Sequence, residues 1–178
     1  MCLTFTATVS ERGEQEPVET LLVGGELGRF LLDIGLLEHA PAVATHELAG
    51  ARRLREAIYR SAAASARGEP LAQADIAQIN AAAFYPVAPR LETASRRIRF
   101  EAARPVQGAL SLIARDAVQL LGAGFASRIG VCTRPGCGAL FVDATRAKNR
   151  RWCSDPSCGD RVRVRAYRRR LKTRAAGE

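Results

Sequence analysis

Four cysteines in the last third of the chain restrict its folding more than any other feature. They read Cys132-x4-Cys137, then fifteen residues, then Cys153-x4-Cys158. A tight turn can bring two thiols at this spacing to one ion. Pro135-Gly136 in the first loop and Asp155-Pro156 in the second supply the turn chemistry. Two such pairs flanking a hairpin-sized segment suit one tetrahedral Zn(II) with Cys132, Cys137, Cys153 and Cys158 as ligands, one ion per chain. The competing readings are two disulfides or four unrelated thiols. Chance pairing at equal spacing is improbable, and disulfides are disfavoured in a reducing compartment. The first residues carry no basic region and run into acidic Glu11, Glu14, Glu16 and Glu19, which is no secretory signal. No stretch approaches the roughly 18 apolar residues of a membrane span. A cytoplasmic location is therefore expected.

The charge is divided as unevenly as the cysteines. The net +9 on 178 residues splits at Ser127. Residues 1–127 hold 13 Arg against 14 Asp+Glu, a balance of −1, and residues 128–178 hold 14 Lys+Arg against 4 acidic groups, a balance of +10. This predicts a near-neutral body, residues 1–127, carrying a basic module, residues 128–178, with an anionic partner for the module. With 47% hydrophobic and 25% charged residues, the chain is globular in composition and wholesale disorder is excluded.

In the body, Leu3, Phe5, Ala7 and Val9 alternate with threonines and predict a short strand. Leu27, Phe30, Leu31 and Ile34 fall at helical spacing and stop at Gly35. Thr45 is placed to cap a long helix over residues 47–67, with Leu48, Ala51, Leu54, Ala57 and Ile58 as its apolar stripe and Gly68 as its end. Further helices are expected over residues 72–83 and 109–121, with a hairpin over residues 91–102. The sum is a mainly helical α+β domain with a minor β component. It shows no phosphate loop and no nucleophile elbow, and His39 and His46 read as ordinary histidines. No enzyme is expected.

A module of about 50 residues buries little surface, so a metal staple suits its size. Leu140, Phe141, Val142 and Trp152 are its large apolar groups, expected to form a miniature core against the metal, with Phe141-Val142 in a strand. After Cys158 a helix is predicted that places Arg161, Arg165, Arg168 and Lys172 on one face and Arg163, Arg170 and Arg174 on roughly the opposite face with Tyr167 beside them, with Arg169 in the same basic run. Such a helix needs counter-charge, and nucleic-acid phosphates supply it. A second cluster, Arg146, Lys148, Arg150 and Arg151, lies between the cysteine pairs. The metal is expected to bring the two together as one nucleic-acid contact surface.

Cys132-x4-Cys137-x3-Phe141-x-Asp143, the run from 146 to 152, and Cys153-Ser154-x3-Cys158-Gly159-Asp160-Arg161 closely resemble the CGNR zinc-finger family. Asp160 stands where the family motif has Asn, and as an acidic residue it favours the start of the following helix. Ala144-Thr145 precede Arg146, where Ser is common in the family. Residues 3–9, Pro17-Val18, Leu27-x2-Phe30-Leu31, Leu54-Arg55-x-Ala57-Ile58 and the run 113–121 resemble ABATE, the domain that usually precedes this finger in proteins assigned as stress-induced transcription regulators. An Asn-Thr of that pattern is here Ala7-Thr8. The resemblance implies a bacterial stress-response regulator with a helical α+β sensory or interaction domain and a treble-clef-like finger ending in a basic helix. The partners expected are nucleic acid, DNA ahead of RNA, and for the body a small-molecule ligand or a protein, a second copy in a homodimer included. No membrane partner is expected. An RNA-binding module, a thiol-redox switch and a protein-interaction finger are the alternatives.

Overall fold

The structure, a computed structural model, describes residues 1–93, 96–122 and 124–175, the side chains of residues 155 and 171–175 excepted. Among these residues the helices are α1 (Cys2–Thr6), α2 (Gly24–Asp33), α3 (Thr45–Arg67), α4 (Gln73–Ala83), α5 (Pro105–Gly122) and α6 (Asp160–Ala175). The strands pair in three antiparallel couples: β1 (Val9–Ser10) with β2 (Val18–Glu19), β3 (Ala88–Leu91) with β4 (Ile98–Glu101), and β5 (Ile129–Val131) with β6 (Leu140–Val142). The fold is α+β, with a mainly helical N-terminal part and a four-cysteine cluster near the C-terminal end. None of the described helices is long and apolar enough to cross a membrane.

The long helix α3 organises the body. Its predicted stripe, Leu48, Ala51, Leu54, Ala57 and Ile58, is buried against Phe5, Leu31, Ile79 and Ile113. Thr45 is the first residue of the helix rather than its cap. Ala44 takes that position, and its N–H donates to the Glu47 carboxylate at 2.9 Å, which satisfies one of the free donors of the first turn. Gly68 ends the helix at φ 69°, a left-handed conformation that favours glycine. Helix α5 begins at Pro105, earlier than its apolar spacing indicates, because proline suits a first helical position. The β3–β4 hairpin projects, leaving Leu91, Ile98 and Phe100 exposed.

The N-terminal run differs from its alternation. Cys2–Thr6 is helical, and only Val9–Ser10 is extended. The cause is distant in sequence. Asp116 on α5 accepts the Cys2 N–H at 2.6 Å and pairs with the Met1 amino group at 3.2 Å, which caps the helix. The Thr6 and Thr8 hydroxyls turn back onto the Leu3 and Phe5 carbonyls, each at 2.8 Å, so local hydrogen bonds replace a strand's ladder.

The C-terminal part does not keep its apolar groups to itself. Ile129 and Leu140 of the β5–β6 pair pack on Ala62 and Ala63 of α3. Trp152 alone of the predicted miniature core lies against the cysteine cluster. The phenyl ring of Phe141 lies across Gly130, where a Cβ would meet it at 2.6 Å. Leu140 faces the body because alternation along a strand sends neighbouring side chains to opposite faces.

Candidate metal centre and basic helix

The hairpin and the start of the last helix each deliver one pair of thiols. Cys132 follows β5, and its N–H donates to the Ala139 carbonyl at 2.8 Å. Cys137 closes the intervening turn, its N–H donating to Arg134 at 3.0 Å. Cys153 follows Trp152, and Cys158 lies in a single π turn, Asp155–Gly159, that runs directly into α6. The Thr133 N–H donates to the Arg151 carbonyl at 3.0 Å, which joins the first pair's loop to the second pair's segment.

The sulfurs converge. Cys137 and Cys153 Sγ lie 3.8 Å apart, Cys153 and Cys158 3.5 Å, and Cys137 and Cys158 3.7 Å, with all four sulfurs within 4.8 Å of one another. A tetrahedron of sulfurs about 2.3 Å from a central zinc ion has edges of about 3.8 Å, so the spacing fits. The donor set fits as well, because soft thiolates select Zn(II) over hard cations. All four cysteines are free thiols, three buried and Cys153 half-buried. The cluster is a site for one zinc ion.

Charge around the cluster is uneven. Burial pushes the Cys137 and Cys153 thiols up. Burial acts on Cys158 in the same direction, but the Arg134 guanidinium, whose Nε donates to Sγ at 3.2 Å, and the neighbouring sulfurs outweigh it and hold this thiol down at about 7.

The loop between the pairs is folded by Asp143. Its carboxylate accepts from the Thr145 hydroxyl at 2.6 Å, the Thr145 N–H at 2.9 Å and the Arg150 N–H at 2.8 Å, and the Thr145 hydroxyl in particular lowers its pKa. Arg146, Lys148, Arg150 and Arg151 are all exposed on this loop. Arg150 is also a brace: it donates to the Trp152 carbonyl at 2.8 Å and to the Cys153 carbonyl, with its guanidinium 4.7 Å from the Phe141 ring centre. Arg151 lies over Trp152 at 5.7 Å and Arg163 over the same ring at 5.3 Å, so this indole is a packing platform between the loop and α6.

On α6, Arg161, Arg163, Arg165, Arg168, Arg169 and Arg170 are exposed, as are Val164 and Tyr167. Arg163 pairs with Asp160 at 2.7 Å across the first turn. Helical spacing puts Arg161, Arg165 and Arg168 on one face; the side chains of Lys172, assigned to that face, and of Arg174, assigned to the opposite one, lie outside the described residues. His39 and His46 are exposed and are not part of the cysteine cluster. Cys2 is buried, and burial with the nearby Asp116 carboxylate pushes its thiol up to about 12.

Sequence reasoning missed Glu11, Arg12, Tyr59 and Arg134, which join the body to the first cysteine loop. Glu11 and Arg134 are 123 residues apart, and no spacing rule connects them.

A family model described as "ABATE: Putative stress-induced transcription regulator" matches residues 1–124, and one described as "CGNR zinc finger" matches residues 128–171. No curated protein matches the chain.

Proposed function

The chain belongs to the ABATE family and carries a CGNR zinc finger, and from that premise we propose that it is a cytoplasmic transcription regulator that binds DNA through its zinc-stapled C-terminal part. Both families are of regulator and zinc-finger type rather than enzymes. Residues 1–127 act as the sensory or interaction unit and residues 128–178 as the contact module. Cys132, Cys137, Cys153 and Cys158 ligate the ion. Bound there, zinc supplies a structural crosslink with no open coordination position.

The observation that carries the reading is the surface of α6. Six arginines in its first eleven residues face solvent on a helix whose mean composition is far too basic for a core. Arg161, Arg165 and Arg168 engage the phosphates beside one groove. Arg146, Lys148 and Arg151 of the preceding loop add contacts to the same strand, with Arg163, Arg169 and Arg170 reaching flanking phosphates. Arg150 serves mainly to brace the loop. A cleft of about 720 Å³ between residues 35–41 and the β3–β4 hairpin, with Leu37, Ile98 and Phe100 among its lining, supports ligand sensing by the body.

About six phosphate contacts give log K a slope of roughly −5 against log salt. Equilibrium titration of a labelled duplex at a series of salt concentrations measures it, and a flat response contradicts the proposal. The exposed Tyr167, 57% accessible on the same helix, favours a second reading, stacking on RNA. Competition between duplex DNA and structured RNA of equal length separates the two.

A further inference from the structure

The body reaches the zinc centre through one short segment and one helix. Residues 11–14, which join β1 to β2, lie along the backbone of the first cysteine loop. The Arg12 N–H donates to the Cys137 carbonyl and the Gly13 N–H to the Gly136 carbonyl, both at 3.0 Å. The backbones lie close: a Cβ at Gly13 would fall 3.2 Å from the Gly136 Cα, and Gly136 itself has φ 80°, a left-handed conformation that favours glycine. From α3, the Tyr59 hydroxyl donates to the Gly138 carbonyl at 2.9 Å, with the Arg12 guanidinium 3.9 Å from the centre of its ring.

Beside these backbone bonds runs a charged relay. Both carboxylate oxygens of Glu11 lie 2.7 Å from Arg134 Nη2, while Arg134 Nε donates to Cys158 Sγ at 3.2 Å. Arg134 is largely shielded, its side chain 14% exposed. Four thiolates around a dication leave a net charge of about −2, and a guanidinium hydrogen-bonded to one sulfur offsets part of it. Because the guanidinium is a rigid planar fork, the Glu11 contact at Nη2 helps to hold Nε directed at the Cys158 sulfur.

On the reading that the four cysteines hold zinc, we infer that the body completes the metal centre: Glu11 positions Arg134 against the Cys158 sulfur and thereby sets how tightly the chain retains its zinc. Arg134 and Glu11 are positioning residues that touch a ligand or its partner, never the ion. Outer partners of metal ligands are worth about 10- to 100-fold in affinity. The coupling is reciprocal, so zinc binding in turn holds the 11–14 segment and stabilises the body.

The test uses the full zinc-loaded chain and measures zinc transfer to a colorimetric chelator, with melting of the loaded and stripped forms alongside. Wild type and every variant are expected to carry one zinc per chain. Glu11→Gln and Arg134→Gln are each expected to release it roughly 10-fold faster, and the double variant no faster than Arg134→Gln, because the two act in series. Glu69→Gln, which breaks the surface pair with Arg67 elsewhere on the body, is expected to release zinc at the wild-type rate. Glu11→Gln is expected to lower the melting temperature of the loaded chain more than that of the stripped chain. Release from Glu11→Gln within twofold of wild type, at one zinc per chain, overturns the inference and leaves the ligand assignment standing. A wild-type chain that binds no zinc overturns both.

Discussion

Arg55 is a charged side chain with 3% of its surface exposed, inside a helix whose other buried residues are apolar except Ser61. It stays charged because each of its three nitrogens donates to a carboxylate. Nη1 and Nη2 reach Glu19 at 2.7 and 2.6 Å, and Nε reaches Glu56 at 2.8 Å, which in turn accepts from Arg12. Arg55→Met leaves two half-buried carboxylates short of a partner and is expected to cost about 3 kcal/mol, read as a lower urea midpoint. The same groups fix a pH response. Burial pushes Glu19 and Glu56 up, but the arginines outweigh it, and both carboxyls lie below the ordinary value of 4.5. A folded value below the unfolded one gives stability that is full above about pH 4.5 and drains as pH falls through the depressed folded values. The urea midpoint is therefore expected to fall between pH 5 and pH 3 in wild type and less so in Arg55→Met; equal slopes would contradict this network.

Elements differ in how far their own residues determine them. Helix α3 is legible in sequence because its apolar stripe recurs at helical spacing and buries as that stripe indicates, and α5 is legible over residues 109–121 though it begins at Pro105. Strand β6 is legible from Phe141-Val142, and β4 falls inside the hairpin expected over residues 91–102, whereas β3 begins at Ala88, before that range. Helix α1 is not legible, because its cap is Asp116, more than a hundred residues away. The same limit applied to Leu140: a strand pattern shows that a residue has a buried face, not which element covers it. The convergence of the four sulfurs followed from spacing and turn residues, whereas the Glu11–Arg134 contact has no local signal at either end. Because Leu140 packs on Ala62 and Ala63, Leu140→Ala is expected to destabilise the β5–β6 seam by about 2 kcal/mol while zinc content stays at one per chain. Hydrogen exchange of the β5 and β6 amides, with zinc assayed in parallel, checks it; unchanged protection contradicts the packing.

At the scale of the molecule, the division of charge and the division of structure do not coincide. All the excess positive charge lies beyond residue 127, yet β5–β6 is seated on α3 and the first cysteine loop is bonded to residues 12 and 13. The basic helix leaves this shared base after Gly159 and carries its arginines into solvent. The claim on which the account depends is that the arginine face of α6 meets nucleic-acid phosphates. The most direct measurement compares wild type with the triple variant Arg161→Gln, Arg165→Gln, Arg168→Gln, both at one zinc per chain, by titrating a labelled DNA duplex across a series of salt concentrations. The account predicts that the triple variant's log–log salt slope is shallower by roughly 3 units and its affinity at low salt at least about 10-fold weaker. An unchanged slope and affinity would contradict it.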